Sequence, residues 1–221
     1  MSNVTRRKFL GAAAGSTVLA VVKPSALFAT QGKANLLPSP STGDNGSLMS
    51  ALKNRKSTRS FSSIPLPQQM LSDLLWAAFG VNRLDSGNRT APSPMNTQEI
   101  EIYVAMANGL YLYDARFHQL VQLSTEDIRN LCGTQGFVAD APLNLIYVAD
   151  FSKFGDREDD KKILYSAADT GFISQNVYLF CAAFGLGTVV RDWVDRPVLA
   201  AKINLRKEQR IILAQTVGYP K

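Results

Sequence analysis

Three cations and three hydroxyls fall within seven residues at Arg55-Lys56-Ser57-Thr58-Arg59-Ser60-Phe61. Guanidinium groups supply bidentate donors and hydroxyls add single ones, the mix that a phosphate monoester requires. The same composition suits a helix C-terminus, where cations meet the negative end of the dipole, so the cluster alone leaves both readings open. A second polar segment runs Ala91-Pro92-Ser93-Pro94-Met95-Asn96-Thr97-Gln98. Its prolines stiffen it, and its amide side chains carry donor and acceptor together, which suits the edge of a heterocycle; it also reads as a plain connecting loop. The third segment is Asp169 to Thr188. Gly171 there sits in an apolar helical pattern, where glycine costs about 1 kcal/mol against alanine. It marks either the close approach of a flat ligand or backbone, or tight helix packing. Gln175 and Asn176 need partners if they are buried.

The elements that must position these groups follow from periodicity. Ser47 to Lys53 forms a short helix candidate. Leu71, Leu74, Leu75, Ala78 and Phe79 share one face of a helix over Leu71 to Val81. Asn82 to Asn96 reads as a loop. Ile100 to Met106 alternates as a strand, and Asn108-Gly109 turns into a hairpin of Leu110–Tyr113 and Gln119–Leu123. Thr125 to Leu131 opens with a capping-type Thr-Glu-Asp and predicts a helix ended by Gly133. Leu143 to Ala149 is a nearly continuous apolar run, suited to a strand covered on both faces. Ile163 to Phe184 predicts a long central helix ended by Gly185-Leu186-Gly187. Thr188 to Arg191 begins a strand, Asp195-Arg196-Pro197 opens a helix ending near Asn204, and Ile211 to Val217 is a last strand. Hairpins mixed with long helices predict an α+β fold with a mixed or antiparallel sheet flanked by helices. No GxGxxG follows a strand, which argues against a Rossmann-type dinucleotide fold.

At the N-terminus, Arg6-Arg7 precedes an apolar run from Phe9 to Val22 and the small-residue site Ala26-Leu27-Phe28-Ala29. This three-part pattern reads as a twin-arginine (Tat) export signal over residues 1–29, engaging the Tat machinery and placing the protein in the periplasm or otherwise outside the cytoplasm. The run is shorter than the roughly 20 apolar residues of a membrane span. Residues 30–46, rich in Ser, Pro, Gly and Asn, read as a flexible tail, and 47–221 as one folded domain.

The chain has 221 residues and a formal charge of +6. Loss of Arg6, Arg7, Lys8 and Lys23 with the signal leaves 20 basic residues against 18 acidic ones. That excess is too small to build a nucleic-acid face. The single histidine, His118, is too few for a His-built metal site, and no metal is expected; it reads as structural. Cys181 lies in an apolar helix pattern and reads as a buried small hydrophobe, while whether it pairs with Cys132 is open.

Taken together the segments resemble the nitroreductase family of FMN-dependent oxidoreductases, and within it the SagB/thiazole-oxidase-like branch. The resemblance covers about Ser47 to Pro220. It rests on Arg55 to Phe61, Arg89-Thr-Ala-Pro-Ser93 with Asn96 and Gln98, Gly109 to Asp114, Ser174 to Leu179, Gly185 to Thr188 and Val217-Gly-Tyr-Pro220. The resemblance implies a nitroreductase-like fold, an intertwined homodimer, and FMN at the interface. It assigns Arg55, Lys56, Ser57 and Arg59 to the FMN phosphate, ribityl chain and N1/O2 edge. Pro92, Ser93 and Asn96 pack on the ring, usually from the second subunit. Gly187 and the stretch after it, with Val190, Arg191 and Asp192, lie near flavin N5, and Gln135 meets the pyrimidine edge. Many relatives carry further Lys or Arg toward the phosphate, a role left here to Lys221. Two departures stand out: Arg191-Asp192-Trp193 replaces smaller residues, and the chain stops at Lys221.

The implied activity is ping-pong transfer of hydride or electrons between a donor and a small-molecule substrate: a nitroaromatic, a quinone or an azoline ring. An exported enzyme meets little free NAD(P)H, so the expected donor is a quinol, a redox protein or the substrate itself. The alternatives are a non-catalytic periplasmic flavin carrier or redox partner, and an interaction domain without cofactor.

Overall fold

Every residue of Leu143–Asp150, the strand β7, is buried. The computed structural model describes residues 34–39 and 48–221. The export signal and residues 40–47 of the tail lie outside the described residues. Around β7 the chain builds a seven-stranded, wholly antiparallel sheet in the order β1-β6-β5-β4-β7-β9-β8. Its members are β1 (Ala34–Leu36), β4 (Ile100–Met106), β5 (Gly109–Asp114), β6 (Gln119–Ser124), β7, β8 (Gly187–Arg191) and β9 (Gln209–Gly218). A small hairpin, β2 (Val81–Arg83) with β3 (Asn88–Arg89), stands apart. The helices are α1 (Leu48–Asn54), α2 (Gln68–Phe79), α3 (Phe137–Asp140), α4 (Asp159–Ala183) and α5 (Arg196–Lys202).

The sheet is covered on both faces. Alternate residues of β4 show why: Ile100, Ile102 and Val104 join the core under α2 and α4, while Tyr103 and Ala105 join a second core with Leu199 of α5. This is the two-sided burial that an apolar run such as Leu143–Ala149 requires. The helical stripe of α2 buries Leu71, Leu74, Leu75, Ala78 and Phe79.

Three expectations are corrected. The predicted helix over Thr125–Leu131 is a single 3₁₀ turn, Arg129–Leu131. Local side chains capture its amides: Ser124 Oγ accepts from Glu126 N at 3.1 Å and Asp127 Oδ1 from Arg129 N at 3.1 Å. Such bonds compete with helical ones. The loop over 82–96 contains the β2–β3 hairpin and a 3₁₀ turn at Pro94–Asn96. Within the predicted tail, Ala34–Leu36 adds an edge strand to β6, and Gln69 Nε2 donates to Ser39 O at 2.9 Å.

Both cysteines are free and buried. His118 is half-buried between Ser72 and Tyr113, its Nε2 2.7 Å from Ser72 Oγ and its Nδ1 2.9 Å from Tyr113 Oη. No helix among the described residues is long and apolar enough to cross a membrane.

Candidate functional site

The Arg55–Phe61 segment leaves α1 and is pinned to β8 at Thr58 and to the residues after β9 beyond it. Thr58 N donates to Thr188 O at 2.9 Å, Ser62 N to Tyr219 O at 2.8 Å and Lys221 N to Ser60 O at 3.2 Å. Phe61 forms a bridge with Pro220. The approach to β8 is close enough to demand glycine: a Cβ on Gly187 would lie 2.8 Å from Thr58 Cγ2.

This arrangement brings Arg55, Ser57, Tyr178 and Val190 together. Val190 N donates to Tyr178 Oη at 3.0 Å, and Ser57 Oγ lies 3.0 Å from the same oxygen. The phenol oxygen accepts from Val190, and either hydroxyl can donate in its bond with Ser57. The Arg55 guanidinium stands 5.2 Å from the Tyr178 ring centroid, within cation–π range. Arg55, Lys56, Arg59 and Lys221 make no ion pair among the described residues. Four cations without carboxylate partners, grouped with hydroxyls on a fixed backbone, can take a phosphate. Tyr178 was assigned no role by sequence reasoning, although it lies within a quoted motif; its place in the cluster is set by the turn of a long helix.

Past the end of β8, Thr134 N donates to Trp193 O at 3.2 Å, which holds the Gly133–Gly136 loop beside Asp192–Val194. Gln135 Oε1 in this loop is buried without a hydrogen-bond partner. An acceptor in that state calls for an N–H from a ligand, and the imide N–H of a flavin pyrimidine has that chemistry. Asp192 pairs with Arg196.

Arg191 does not present its charge outward. Its Nη1 donates to Cys132 O at 2.8 Å, Nη2 to Asn144 Oδ1 at 3.0 Å and Nε to Thr216 Oγ1 at 3.1 Å. The residue is 4% exposed, and burial pulls its pKa down to about 10. Only the backbone of Arg191 is available at this strand, whereas Trp193, two residues on, stays 68% exposed. Gly133 makes room for the guanidinium, since a Cβ there would collide with Arg191 Nη1.

Pro92, Ser93 and Asn96 are not brought to this cluster within one protomer. Gly187 pairs with Gly218, and Leu143 with Val217, at one end of the sheet; Ile100 pairs with Ala149 at the other. Ser93 sits at that second end, where its Oγ accepts from Gln98 N at 2.9 Å and donates to Glu99 Oε2 at 3.2 Å. Met95, Asn96 and Gln98 all have positive φ, a strain that persists only when surrounding contacts fix it. Gln98 supplies them. Its Oε1 accepts from Arg89 Nε at 2.8 Å, and its Nε2 donates to Gly87 O at 3.0 Å and Asn96 Oδ1 at 2.8 Å. The side-chain amide of Gln98 is thus spent inside the protomer.

Behind this loop lies a pair the sequence did not reveal. Glu99 and Asp169 are both buried, at 0% and 1% exposure. Glu99 Oε2 accepts from Ser93 Oγ and Thr97 Oγ1 at 3.2 Å each, while Glu99 Oε1 and both Asp169 carboxyl oxygens meet no partner in good hydrogen-bond geometry among the described residues. Burial and the adjacent Glu99 carboxyl push Asp169 up to about 7.

A sheet of this order, covered by helices on both faces, defines an α+β protein of the nitroreductase-like fold. The chain belongs to the nitroreductase family, whose model matches residues 52–219. Members generally bind FMN and work as homodimers on small molecules. Over 152 residues the chain is 34% identical to a protein named as a nitroreductase from Methanocaldococcus jannaschii, spanning 64% of this chain and 76% of that one. A crystal structure of a protein described as a nitroreductase from Ralstonia eutropha JMP134 matches with a TM-score of 0.82 at 43% identity, over 87% of this chain and 91% of that one. The fold also matches a chain of the Escherichia coli microcin synthetase McbBCD complex, with a TM-score of 0.66 at 21% identity, over 93% of this chain and 85% of that one.

Proposed function

We propose that the protein is an FMN-dependent oxidoreductase of the SagB/thiazole-oxidase-like branch, exported by the Tat route and active as a homodimer outside the cytoplasm. The observation that carries the reading is the convergence of Arg55, Ser57, Tyr178 and Val190, with Arg59 and Lys221 in the adjoining segments and no ion pair to these cations among the described residues. Bound FMN would take hydride from a donor and return electrons to an acceptor in the same pocket. The chain's own residues bind and orient. Arg55, Lys56, Arg59 and Lys221 hold the phosphate and the electron-rich edge of the ring. Tyr178 fixes Ser57 against β8, and Gln135 accepts from the pyrimidine. The Pro92–Asn96 segment, at the far end of the sheet, reaches the ring from a second copy.

An exposed apolar face supports that last step. Leu48, Met49 and Leu52 on α1 and Ile163, Leu164 and Phe172 on α4 are exposed apolar side chains, more than a solvated face usually carries. At Gly171 a Cβ would meet nothing within 4 Å, so no contact within the protomer requires glycine there. The substrate class is a quinone, nitroaromatic or azoline, and the donor is a quinol, a redox protein or the substrate. Steady-state kinetics with a quinone acceptor tests this reading. Turnover of NADH or NADPH with kcat/KM of roughly 10⁴ M⁻¹s⁻¹ or more would overturn the donor assignment, and location in the cytoplasm would overturn the export assignment.

A further inference from the structure

The backbone bonds of the strained 93–98 loop close on one carboxyl group. Met95, Asn96 and Gln98 have φ of 51°, 55° and 47°, so contacts beyond the loop must impose its shape. Glu99 Oε2 binds both ends of it, accepting from Ser93 Oγ and from Thr97 Oγ1. Ser93 Oγ in turn accepts from Gln98 N, while Asn96 N donates to Ser93 O at 3.0 Å and Thr97 N to Pro94 O at 3.1 Å. The Glu99 carboxyl is buried, and so is that of Asp169 on α4, on which it acts at close range. No cation pairs with either among the described residues. The cations around the loop are engaged elsewhere: Arg89 with Gln98 Oε1, Lys153 with Gln98 O and Glu101, Arg157 with Phe154 O. The loop itself carries no charged side chain. Ser166 and Thr170, which flank Asp169 on α4, are buried and uncharged. Of the helices packed on α4, α1 has only the exposed Lys53, and α2 has only Asp73, which accepts from Gln69. Two neighbouring buried carboxyls with no cation cannot both be ionised, so the pair holds one proton.

We propose that Asp169, acting through Glu99, is a positioning residue for the 93–98 loop: the proton shared by the two carboxyls clamps the loop in its strained shape, and loss of that proton to solvent frees it. With both groups charged, repulsion in a buried setting turns Glu99 away from Ser93 and Thr97. Burial and the Glu99 charge push Asp169 up to about 7, so the loop is held below that pH and loosened above it. Where the loop reaches the ring of a second copy, a step that rests on the oxidoreductase reading, the clamp ties flavin retention to pH. The clamp itself lies within one protomer and stands without that reading.

Hydrogen exchange of the protein as purified, read by mass spectrometry at about pH 6 and about pH 8.5 and corrected for the intrinsic pH dependence of exchange, tests the proposal. The amides of Asn96, Thr97 and Gln98 lose roughly tenfold in protection between the two conditions. Those of the Met106–Gly109 turn, at the other end of the sheet, do not. Asp169→Asn and Glu99→Gln each put an amide N–H in place of the shared proton, and no pH in this range removes it. Both variants keep the loop protected at either pH. Equal protection of residues 96–98 at the two pH values in the parent protein, or a pH dependence that survives in both variants, would overturn the proposal.

Discussion

The Val190 amide donates to the Tyr178 hydroxyl at 3.0 Å, and Ser57 Oγ closes on the same oxygen at 3.0 Å. One phenol at the end of α4 thereby ties the edge strand β8 to the basic segment after α1. Tyr178→Phe removes both bonds. The expected cost is about 1–2 kcal/mol of stability and roughly a tenfold weaker flavin affinity, since Ser57 loses its anchor. Urea denaturation and flavin-fluorescence titration measure the two separately.

Gly187→Ala forces the added methyl against Thr58. Overpacking of this kind costs about 1–3 kcal/mol, and it pushes the basic segment off β8. Flavin content per chain should fall more than the urea midpoint does, which a comparison of the two would reveal.

Arg191 is a buried guanidinium bonded only to neutral acceptors: Cys132 O, Asn144 Oδ1 and Thr216 Oγ1. Arg191→Ala leaves all three short of a donor and opens a cavity. A loss of about 3–5 kcal/mol is expected, read as a lower urea midpoint. Arg191→Lys should recover only part of it, because one ammonium cannot span the planar fork.

Asp169 gives stability a pH dependence with a definite sign. Its folded pKa is raised to about 7 from an ordinary 3.8, so the folded state holds a proton that the unfolded state releases. The contribution is fully present below about pH 4 and is lost as pH rises through about 7. The protein should melt at a higher temperature at pH 5 than at pH 8, as far as this group decides it. Asp169→Asn, which keeps the shape without the charge, should flatten the difference. An unchanged pH dependence in that variant would remove Asp169 from the account.

The exposed apolar face of α1 and α4 predicts association. Light scattering of the protein should give twice the chain mass, and Phe172→Asp, at a side chain 48% exposed, should yield monomers with reduced flavin content. Monomers that retain full flavin would show that one protomer completes the site alone.

Much of this architecture is readable from local pattern. The α2 stripe and the unbroken apolar run of β7 state their burial directly, and Asn108-Gly109 marks the β4–β5 turn. The phosphate-type cluster was also legible, because Arg55, Ser57 and Arg59 are adjacent in sequence. What pattern does not carry is long-range pairing. Tyr178 meets Ser57 across 121 positions, and nothing local distinguishes it from the other aromatic residues of α4. Glu99 and Asp169 face each other for the same reason. The inward turn of Arg191 is set by Cys132 O, Asn144 and Thr216, all far from it in sequence. The Thr125–Leu131 segment misleads in the opposite direction: Ser124 and Asp127 take the amides of Glu126 and Arg129, and only one 3₁₀ turn forms.

The absorbance spectrum of the purified chain, residues 30–221, with acid release and identification of any chromophore, tests the central claim most directly. The account predicts bands near ~370 and ~450 nm and about one FMN per chain, with both lost together in an Arg55→Ala, Arg59→Ala double variant that still folds. A colourless protein that also fails to take up added FMN would contradict it.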